Sequence, residues 1–264
     1  MSHMPSAGPE QDRSTDILTR TAVDRRSFLR YTGATAVVGG LVLAGCKKDA
    51  DPVAPPPPAP ALTKTLTNDD FGILNYAYAL EQLEAAFYTK VVADAASLFS
   101  GPELDILKAI RDHEIIHREF FKAALGDKRL VDLTPDYTAN GDAALAINFS
   151  SKASILNGAR LFEDTGVQAY NGAGKFIKSA TYLLLAGKIV SVEARHAALL
   201  RDMIAKNSFA AKVSMPGTEA GLTGLTVPAA LNAQGLDMSA PPSAILPVAL
   251  KFVKERAQLI SQLP

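Results

Sequence analysis

Two pairs of residues in this sequence have the spacing of a metal-binding helix face. Each pair is Glu-x-x-His: Glu114 with His117, and Glu193 with His196. Residues three apart lie on the same face of an α-helix, so each pair can present a carboxylate and an imidazole to one point. Carboxylate oxygen and imidazole nitrogen are common metal ligands in proteins. A single pair of this kind is a weak indication of a metal site.

Two further glutamates extend the pattern. Glu81 and Glu163 are each followed seven residues later by a tyrosine, Tyr88 and Tyr170. Seven residues make about two helical turns, so each tyrosine shares a face with its glutamate and can hydrogen-bond within a site; alternatively, both are ordinary core aromatics. The units alternate along the chain, Glu-x6-Tyr and then Glu-x-x-His, twice. The chain therefore contains two copies of one helical hairpin, which strongly predicts a shared metal centre.

All four glutamates interrupt apolar helical stripes, which predicts that they are buried. Burying an unpaired carboxylate is unfavourable by several kcal/mol, and like charges nearby increase the penalty. Two divalent cations would neutralise four carboxylates. Glutamate and histidine favour iron or manganese, while a single cysteine excludes a disulfide, a cysteine-rich zinc site and a thiolate-held iron–sulfur cluster. The expected cofactors are two metal ions, Fe or Mn, bound by Glu81, Glu114, His117, Glu163, Glu193 and His196.

Glu84 competes with Glu81 for the ligand role because it lies three residues on, near the same face. Glu81 is preferred, since it alone matches a glutamate in the second copy, where Glu84 aligns with Gly166. Glu84 could instead orient a ligand or pair with an arginine, Arg160 or Arg195.

Three other polar residues lie close to the pattern. His113 is about 100° around the helix from Glu114, which predicts a surface or interface position. Glu119 and Asp164 fall off the inward stripes, so we expect both to be solvated.

Four long helices must position these residues. The periodicity predicts helices over about 69–95, 101–126, 151–172 and 175–207. Asp69 or Asp70 can cap the first helix, and Gly126 ends the second. Besides the acids, histidines and paired tyrosines, the predicted inward stripes contain Leu74, Tyr78, Ala85, Leu107, Ile110, Phe121, Ala124, Leu156, Ala159, Val167, Leu185, Ile189, Leu200 and Met203.

The connection between the second and third helices is roughly thirty residues long, which is unusual for antiparallel neighbours and suits a crossover. The tail after Ser208 is turn-rich, with a short helix predicted near 244–262. The prediction is an all-α four-helix bundle with this crossover and a C-terminal extension packed on it. The domain bounds are 1–46 for an N-terminal signal, 47–66 for a linker, 67–207 for the bundle and 208–264 for the extension.

The N-terminal region predicts export. Residues 24–46 read DRRSFLRYTGATAVVGGLVLAGC, with a twin arginine, Arg25 and Arg26, before an apolar run too short to span a bilayer. This order is typical of a Tat signal, and the Leu-Ala-Gly-Cys ending resembles a lipoprotein box with Cys46 as the lipidated residue. A proline-rich spacer, 49–60, follows. We expect a cell-envelope lipoprotein, periplasmic or extracellular, exported by the Tat machinery and tethered to a membrane.

The charges are balanced, with 27 Lys and Arg against 27 Asp and Glu. This balance excludes electrostatic capture of nucleic acid as a principal function.

Four stretches carry a resemblance to a known family: LNYAYALEQLEAAFY, DHEIIHREF, LFEDTGVQAYNGAG and SVEARHAALLR. They resemble the ferritin-like superfamily of dimetal-carboxylate bundles, in which two helices give one glutamate each and two give Glu-x-x-His. More narrowly, they resemble the bacterial ferritin-like proteins that include the desiccation-related group. The resemblance covers about 69–207.

The resemblance implies a role for each residue of the predicted centre. Glu114 and Glu193 would bridge both ions. Each ion would also take one terminal glutamate and one histidine, from Glu81, Glu163, His117 and His196. The hydroxyls of Tyr88 and Tyr170 would orient ligand carboxylates.

The resemblance also implies an oxidoreductase-like activity, ferroxidase-, peroxidase- or manganese-catalase-like. Three functions stay open: a redox enzyme at the cell envelope, an iron-handling protein, and a stress-protective envelope protein with a structural metal site. Iron storage needs a hollow oligomeric shell, which a lipid tether and spacer fit poorly. The chain could form a homo-oligomer.

Overall fold

The computed structural model describes residues 62–217 and 224–264. The predicted signal with Arg25 and Arg26, the lipidation site Cys46 and the spacer 49–60 lie outside the described residues. Within the described part of the chain, no helix is both long and apolar enough to cross a membrane.

Four long helices form the bundle, which confirms the predicted all-α fold. They are α1 (Asp70–Asp94), α2 (Gly101–Leu125), α3 (Lys152–Ala173) and α4 (Ala180–Ile204). The extensive contacts run within two hairpins, α1 with α2 and α3 with α4, and α1 also packs against α3. A single 3-10 turn separates the helices in each hairpin, Ala96–Leu98 in the first and Gly174–Phe176 in the second.

Side-chain caps define where the helices begin. The Asp69 carboxylate accepts the backbone N–H of Gly72, so Asp69 rather than Asp70 is the cap of α1. At α2, the Glu103 carboxylate accepts the backbone N–H of Ser100 at 2.8 Å. Such caps satisfy N–H groups that have no partner inside a helix.

The start of α4 differs from the prediction, since the helix begins at Ala180 rather than near 175. The Asp70 carboxylate of α1 accepts the backbone N–H groups of Lys178 and Ser179, at 2.8 Å each. These bonds hold the preceding residues in an extended path, and the Ser179 side chain then caps α4. A contact from another helix therefore sets this boundary.

Most of the predicted inward stripe is buried, but Ala124 is exposed and Leu125 is buried in its place. Helix α1 is buried on almost every side, including its amides Asn75 and Gln82. Asn75 exchanges hydrogen bonds with the crossover backbone at Lys128 and Leu130. The crossover thus covers the outer face of α1.

The C-terminal extension packs against the bundle and the crossover. Its strand β4 (Ile260–Ser261) pairs in parallel with β1 (Thr65–Leu66) ahead of α1, while β2 (Met215–Pro216) pairs antiparallel with β3 (Thr226–Val227). At Gly172 of α3 a Cβ would lie 1.7 Å from the Ala240 carbonyl oxygen, so this close approach requires glycine.

The helix predicted near 244–262 is shorter, because α5 covers only Pro242–Ala249. A 3-10 turn, Leu250–Phe252, follows it. The Phe252 carbonyl then accepts the N–H of Asp136, and the N–H of Lys254 donates to Thr134, so the backbone bonds to the crossover instead of continuing the helix.

Candidate metal centre

The six predicted ligands lie together in the core of the bundle. The structure places them in two overlapping groups, and within each group one ligand atom per residue lies within 4.8 Å of the others. Glu114 and Glu193 belong to both groups. The first group adds Glu81 and His117, and the second adds Glu163 and His196.

In the first group, the Nδ1 atom of His117 faces three carboxylates. It lies 3.0 Å from Glu193 Oε1. It is 3.4 Å from Glu81 Oε2 and from Glu114 Oε2. The four glutamate side chains of the centre have no exposed surface, whereas the His117 side chain keeps 11%.

In the second group, the Nδ1 atom of His196 lies 2.8 Å from Glu114 Oε1 and 3.3 Å from Glu163 Oε2. Glu114 therefore turns one oxygen toward each histidine. This arrangement would allow Glu114 to be shared by two cations.

Eight buried atoms of the centre have no hydrogen-bond partner of suitable geometry among the described residues. They are Oε2 of Glu81 and Glu163, both carboxylate oxygens of Glu114 and Glu193, and Nδ1 of His117 and His196. Buried polar atoms are normally satisfied, so a cluster of unsatisfied ones needs another partner. Oxygen and nitrogen donors in this number fit a pair of cations.

The tyrosines contact the centre in a crossed pattern. The Tyr88 hydroxyl of α1 donates to Glu163 Oε1 of α3 at 2.6 Å, and the Tyr170 hydroxyl of α3 donates to Glu81 of α1. The crossing occurs because α1 and α3 run antiparallel, which brings each tyrosine level with the glutamate of the opposite helix. Each bond occupies one carboxylate oxygen and leaves the other, Oε2, facing the centre.

Burial raises the pKa of three of the glutamates, Glu81, Glu163 and Glu193. The neighbouring carboxylates raise these pKa values further, Glu193 acting on Glu81 and Glu114 acting on the other two. Without a cation, the centre therefore favours protonated carboxyls.

Glu114 and the histidines behave in the opposite way. Burial alone would raise the pKa of Glu114, but its contacts with His117 and His196 outweigh burial and lower the pKa to about 2. Burial would lower both histidine pKa values, yet the surrounding carboxylates raise the pKa of His117 to about 12 and that of His196 to about 10. Positive charge is thus strongly favoured at this centre.

Glu84 is a fifth buried carboxyl beside the centre. It belongs to neither group of potential ligands, so the geometry favours Glu81. A Cβ at Gly166 would lie 3.1 Å from Glu84 Oε1 and 3.3 Å from Glu193 Oε2, so Glu84 uses the space that this glycine leaves free. Among the described residues it forms no ion pair with Arg160 or Arg195, and burial raises its pKa.

His113 is exposed, as predicted, but it also reaches the centre. Its Nδ1 atom lies 2.8 Å from Nε2 of His196, on the ring edge opposite the carboxylates. Burial and the nearby His196 lower the pKa of His113. The spacing of four residues places His113 and His117 on one side of α2, but it does not identify His196 as a partner of His113. An offset of about 100° from Glu114 does not prevent the contact, because the His113 imidazole extends sideways to α4.

Asp164 was predicted to be solvated, but the structure shows that it is largely buried. Its side chain is 12% exposed and pairs with Arg201 at 2.7 Å and Arg160 at 2.9 Å. Arg201 also donates to the backbone carbonyl of Pro228, so this cluster fastens the C-terminal extension. Glu119 is exposed, as predicted.

Comparison with known proteins agrees with this fold. No curated protein matches the chain at a significant level. The model of one family, described as the ferritin-like domain, matches residues 69–206. That range includes all four bundle helices and every residue of the two groups. The chain therefore belongs to the ferritin-like domain family.

Proposed function

We propose that this chain binds two iron or manganese ions at the centre and uses them in redox chemistry with dioxygen or peroxide. The supporting observation is that two otherwise separate groups share Glu114 and Glu193. A carboxylate has two oxygens, so each shared glutamate can bridge two ions. The metal pair, when bound, would supply coupled changes of oxidation state.

The protein side chains would bind and orient the ions. Glu81 and Glu163 would each offer Oε2 to one ion, because a tyrosine hydroxyl occupies Oε1. His117 and His196 would each offer Nδ1. These outer hydrogen bonds would fix the orientation of the carboxylates. Removing such a partner commonly weakens metal binding by about 10–100-fold.

Burial restricts the substrate to a small molecule. The ligand carboxylates have no exposed surface, and the imidazoles expose only 11% and 6% of their side chains. Dioxygen and hydrogen peroxide are small enough to enter through local fluctuations of the helices. The same closure favours the alternative, a stress-protective protein of the desiccation-related group with a structural metal site.

Elemental analysis after reconstitution with Fe(II) or Mn(II) tests the metal pair. Two ions per chain are expected, and the double variant Glu114→Ala/Glu193→Ala should bind neither. Glu119→Ala, on the exposed side of α2, is the matched control and should bind both. A chain that binds no metal after careful loading would contradict the proposal.

Peroxide or oxygen consumption then separates the two functions. Turnover by the loaded protein that disappears in the double variant would support redox chemistry. A loaded protein that gains stability but consumes neither oxidant would favour the structural role, because bound metal stabilises a fold in either case.

We also propose that the chain works at the cell envelope, since a folded-export signal would allow metal loading before export. Replacing Arg25 and Arg26 by lysine should abolish export. Export of metal-loaded protein by that variant would contradict this part of the proposal.

A further inference from the structure

The two histidine ligands have different surroundings. His196 contacts a second histidine, with 2.8 Å between its Nε2 and Nδ1 of His113. The ring planes differ by 19°, and the ring centroids are 5.1 Å apart. Nearly parallel rings at this separation suit an N–H···N hydrogen bond close to both ring planes.

The chemistry of the centre assigns the proton in this bond. His196 turns Nδ1 toward Glu114 and Glu163, so Nδ1 must present its lone pair to bind a cation there. The ring proton of His196 then lies on Nε2, and His113 Nδ1 is the acceptor. The other nitrogen of a metal-binding histidine commonly donates a hydrogen bond that fixes the tautomer and orientation of the ring.

The first hairpin alone supplies such a partner. His113 directly precedes Glu114, whereas Val192 directly precedes Glu193 at the equivalent position of the second copy. A valine side chain cannot accept a hydrogen bond. Within residues 62–217 and 224–264, Nε2 of His117 has no side-chain partner like His113. The His117 side chain is also more exposed than that of His196, 11% against 6%.

We propose that His113 is a positioning residue that makes the two metal positions unequal. His113 accepts a hydrogen bond from the Nε2–H group of His196. This bond fixes the tautomer and the orientation in which His196, together with Glu163, can bind an ion in the second group. That position then takes its ion first and more tightly than the position of Glu81 and His117. The inference rests on the proposed metal pair and adds an order of loading to it.

Titration of the chelated full chain with Mn(II) under anaerobic conditions tests the inference, with free Mn(II) measured by electron paramagnetic resonance. The wild type should bind two ions in unequal steps. His113→Val, which copies the second hairpin, should weaken the tighter step about 10–100-fold and leave the other unchanged. His113→Asn keeps an acceptor in the place of Nδ1 and should retain most of the affinity. Val192→Ala is the matched control and should change neither step.

Double variants identify the position that His113 supports. The effects of His113→Val and Glu163→Gln on Mn(II) affinity should be non-additive, because both changes act on one ion. His113→Val combined with Glu81→Gln should be additive, because each change acts on a different ion. The reverse pattern would overturn the assignment.

Other outcomes separate this inference from the proposed function. Two ions bound by His113→Val with wild-type affinities would show that His113 does not position His196, while the metal pair would stand. Equal weakening of both steps, with a lower Tm of the chelated protein, would show an effect on the fold and overturn the positioning role. A wild type that binds no ion pair would overturn the proposed function and this inference together.

Discussion

The first hairpin, α1 with α2, and the second, α3 with α4, supply the same types of potential ligand to the candidate metal centre, yet different segments of the chain pack against each hairpin. Gln82 directly follows Glu81, and its amide bonds to the crossover backbone at Val131 and Leu133. Asp164 directly follows Glu163 and forms ion pairs with two arginines.

One of these arginines, Arg201, continues from the Asp164 cluster to the C-terminal extension at Pro228. Neutral hydrogen bonds thus attach the first hairpin to the crossover. Buried ion pairs, through Arg201, attach the second hairpin to the C-terminal extension. The two copies of the repeat thus keep the same pattern of potential ligands, although a different part of the chain packs against each copy.

The largest expected effect distinguishes the shared ligands from the terminal ones. Glu114→Gln should abolish binding of both ions, because Glu114 faces both histidines, whereas Glu81→Gln should remove one. The metal-dependent gain in stability, about 3–4 kcal/mol at 100- to 1,000-fold excess over Kd, should disappear only in Glu114→Gln. Thermal melting with and without metal measures this difference. Equal losses in the two variants would contradict the shared role of Glu114.

The second effect compares how much the Asp164 ion pairs and the Gln82 hydrogen bonds contribute to the free energy of unfolding. Asp164→Ala leaves Arg160 and Arg201 buried without their carboxylate, which should lower the free energy of unfolding by about 3–5 kcal/mol. Gln82→Ala removes hydrogen bonds to the crossover and should cost about 1–3 kcal/mol. Urea denaturation of the chelated protein measures both. A larger loss for Gln82→Ala would reverse the proposed contrast.

The third effect concerns pH and the two histidines of the chelated protein. Their raised pKa values contribute stability that is complete below pH 6.5 and is lost as pH rises toward about 10 for His196 and about 12 for His117. The lowered pKa of Glu114 contributes stability above pH 4.5 that is lost as pH falls toward about 2. Stability of the chelated protein should therefore decrease from weakly acidic to alkaline pH.

Metal affinity should show the opposite trend with pH, because protons compete with the ions. Urea denaturation across pH, with and without metal, compares the two trends. A chelated protein that becomes more stable at alkaline pH would contradict the assignment of raised histidine pKa values. Histidine NMR would show which ring loses its proton first.

The smallest effect tests the crossed tyrosines. Tyr88→Phe should weaken the ion bound by Glu163 by about 10-fold, and Tyr170→Phe should weaken the ion bound by Glu81 similarly. Mn(II) titration of each variant measures these affinities. Tyr76→Phe is a suitable control, since the buried Tyr76 hydroxyl has no hydrogen-bond partner among the described residues. An uncrossed pattern, with Tyr88 acting on the Glu81 position, would contradict the geometry.

Local sequence signals predicted much of the bundle. The spacing of Glu114 with His117 and of Glu193 with His196 placed two potential ligands on one helix face each, because helical geometry is the same in every protein. The cap at Asp69 and the glycine at the end of α2 are local as well. The family match over residues 69–206 agrees with the resemblance drawn from these motifs.

The two errors, and one contact that was not predicted, lie where a distant segment supplies a partner. Asp164 was predicted to be solvated because it falls off the inward stripe, but Arg201 of α4, which also binds the extension, pairs with it. The predicted start of α4 was wrong because the Asp70 carboxylate of α1 accepts hydrogen bonds from the N–H groups of Lys178 and Ser179, just before the helix. The contact of His113 with His196 joins two helices that are not neighbours in sequence.

The sequence by itself determined which residues could bind metal and which helices carry them, because periodicity and residue type act over a few turns. Only the tertiary structure decided that each tyrosine serves the opposite helix, that Glu114 faces both histidines, and that His113 supports one of them. These relations depend on the antiparallel packing of helices far apart in the chain. Local spacing carries no information about that packing, since burial and contact between helices arise only when the core assembles.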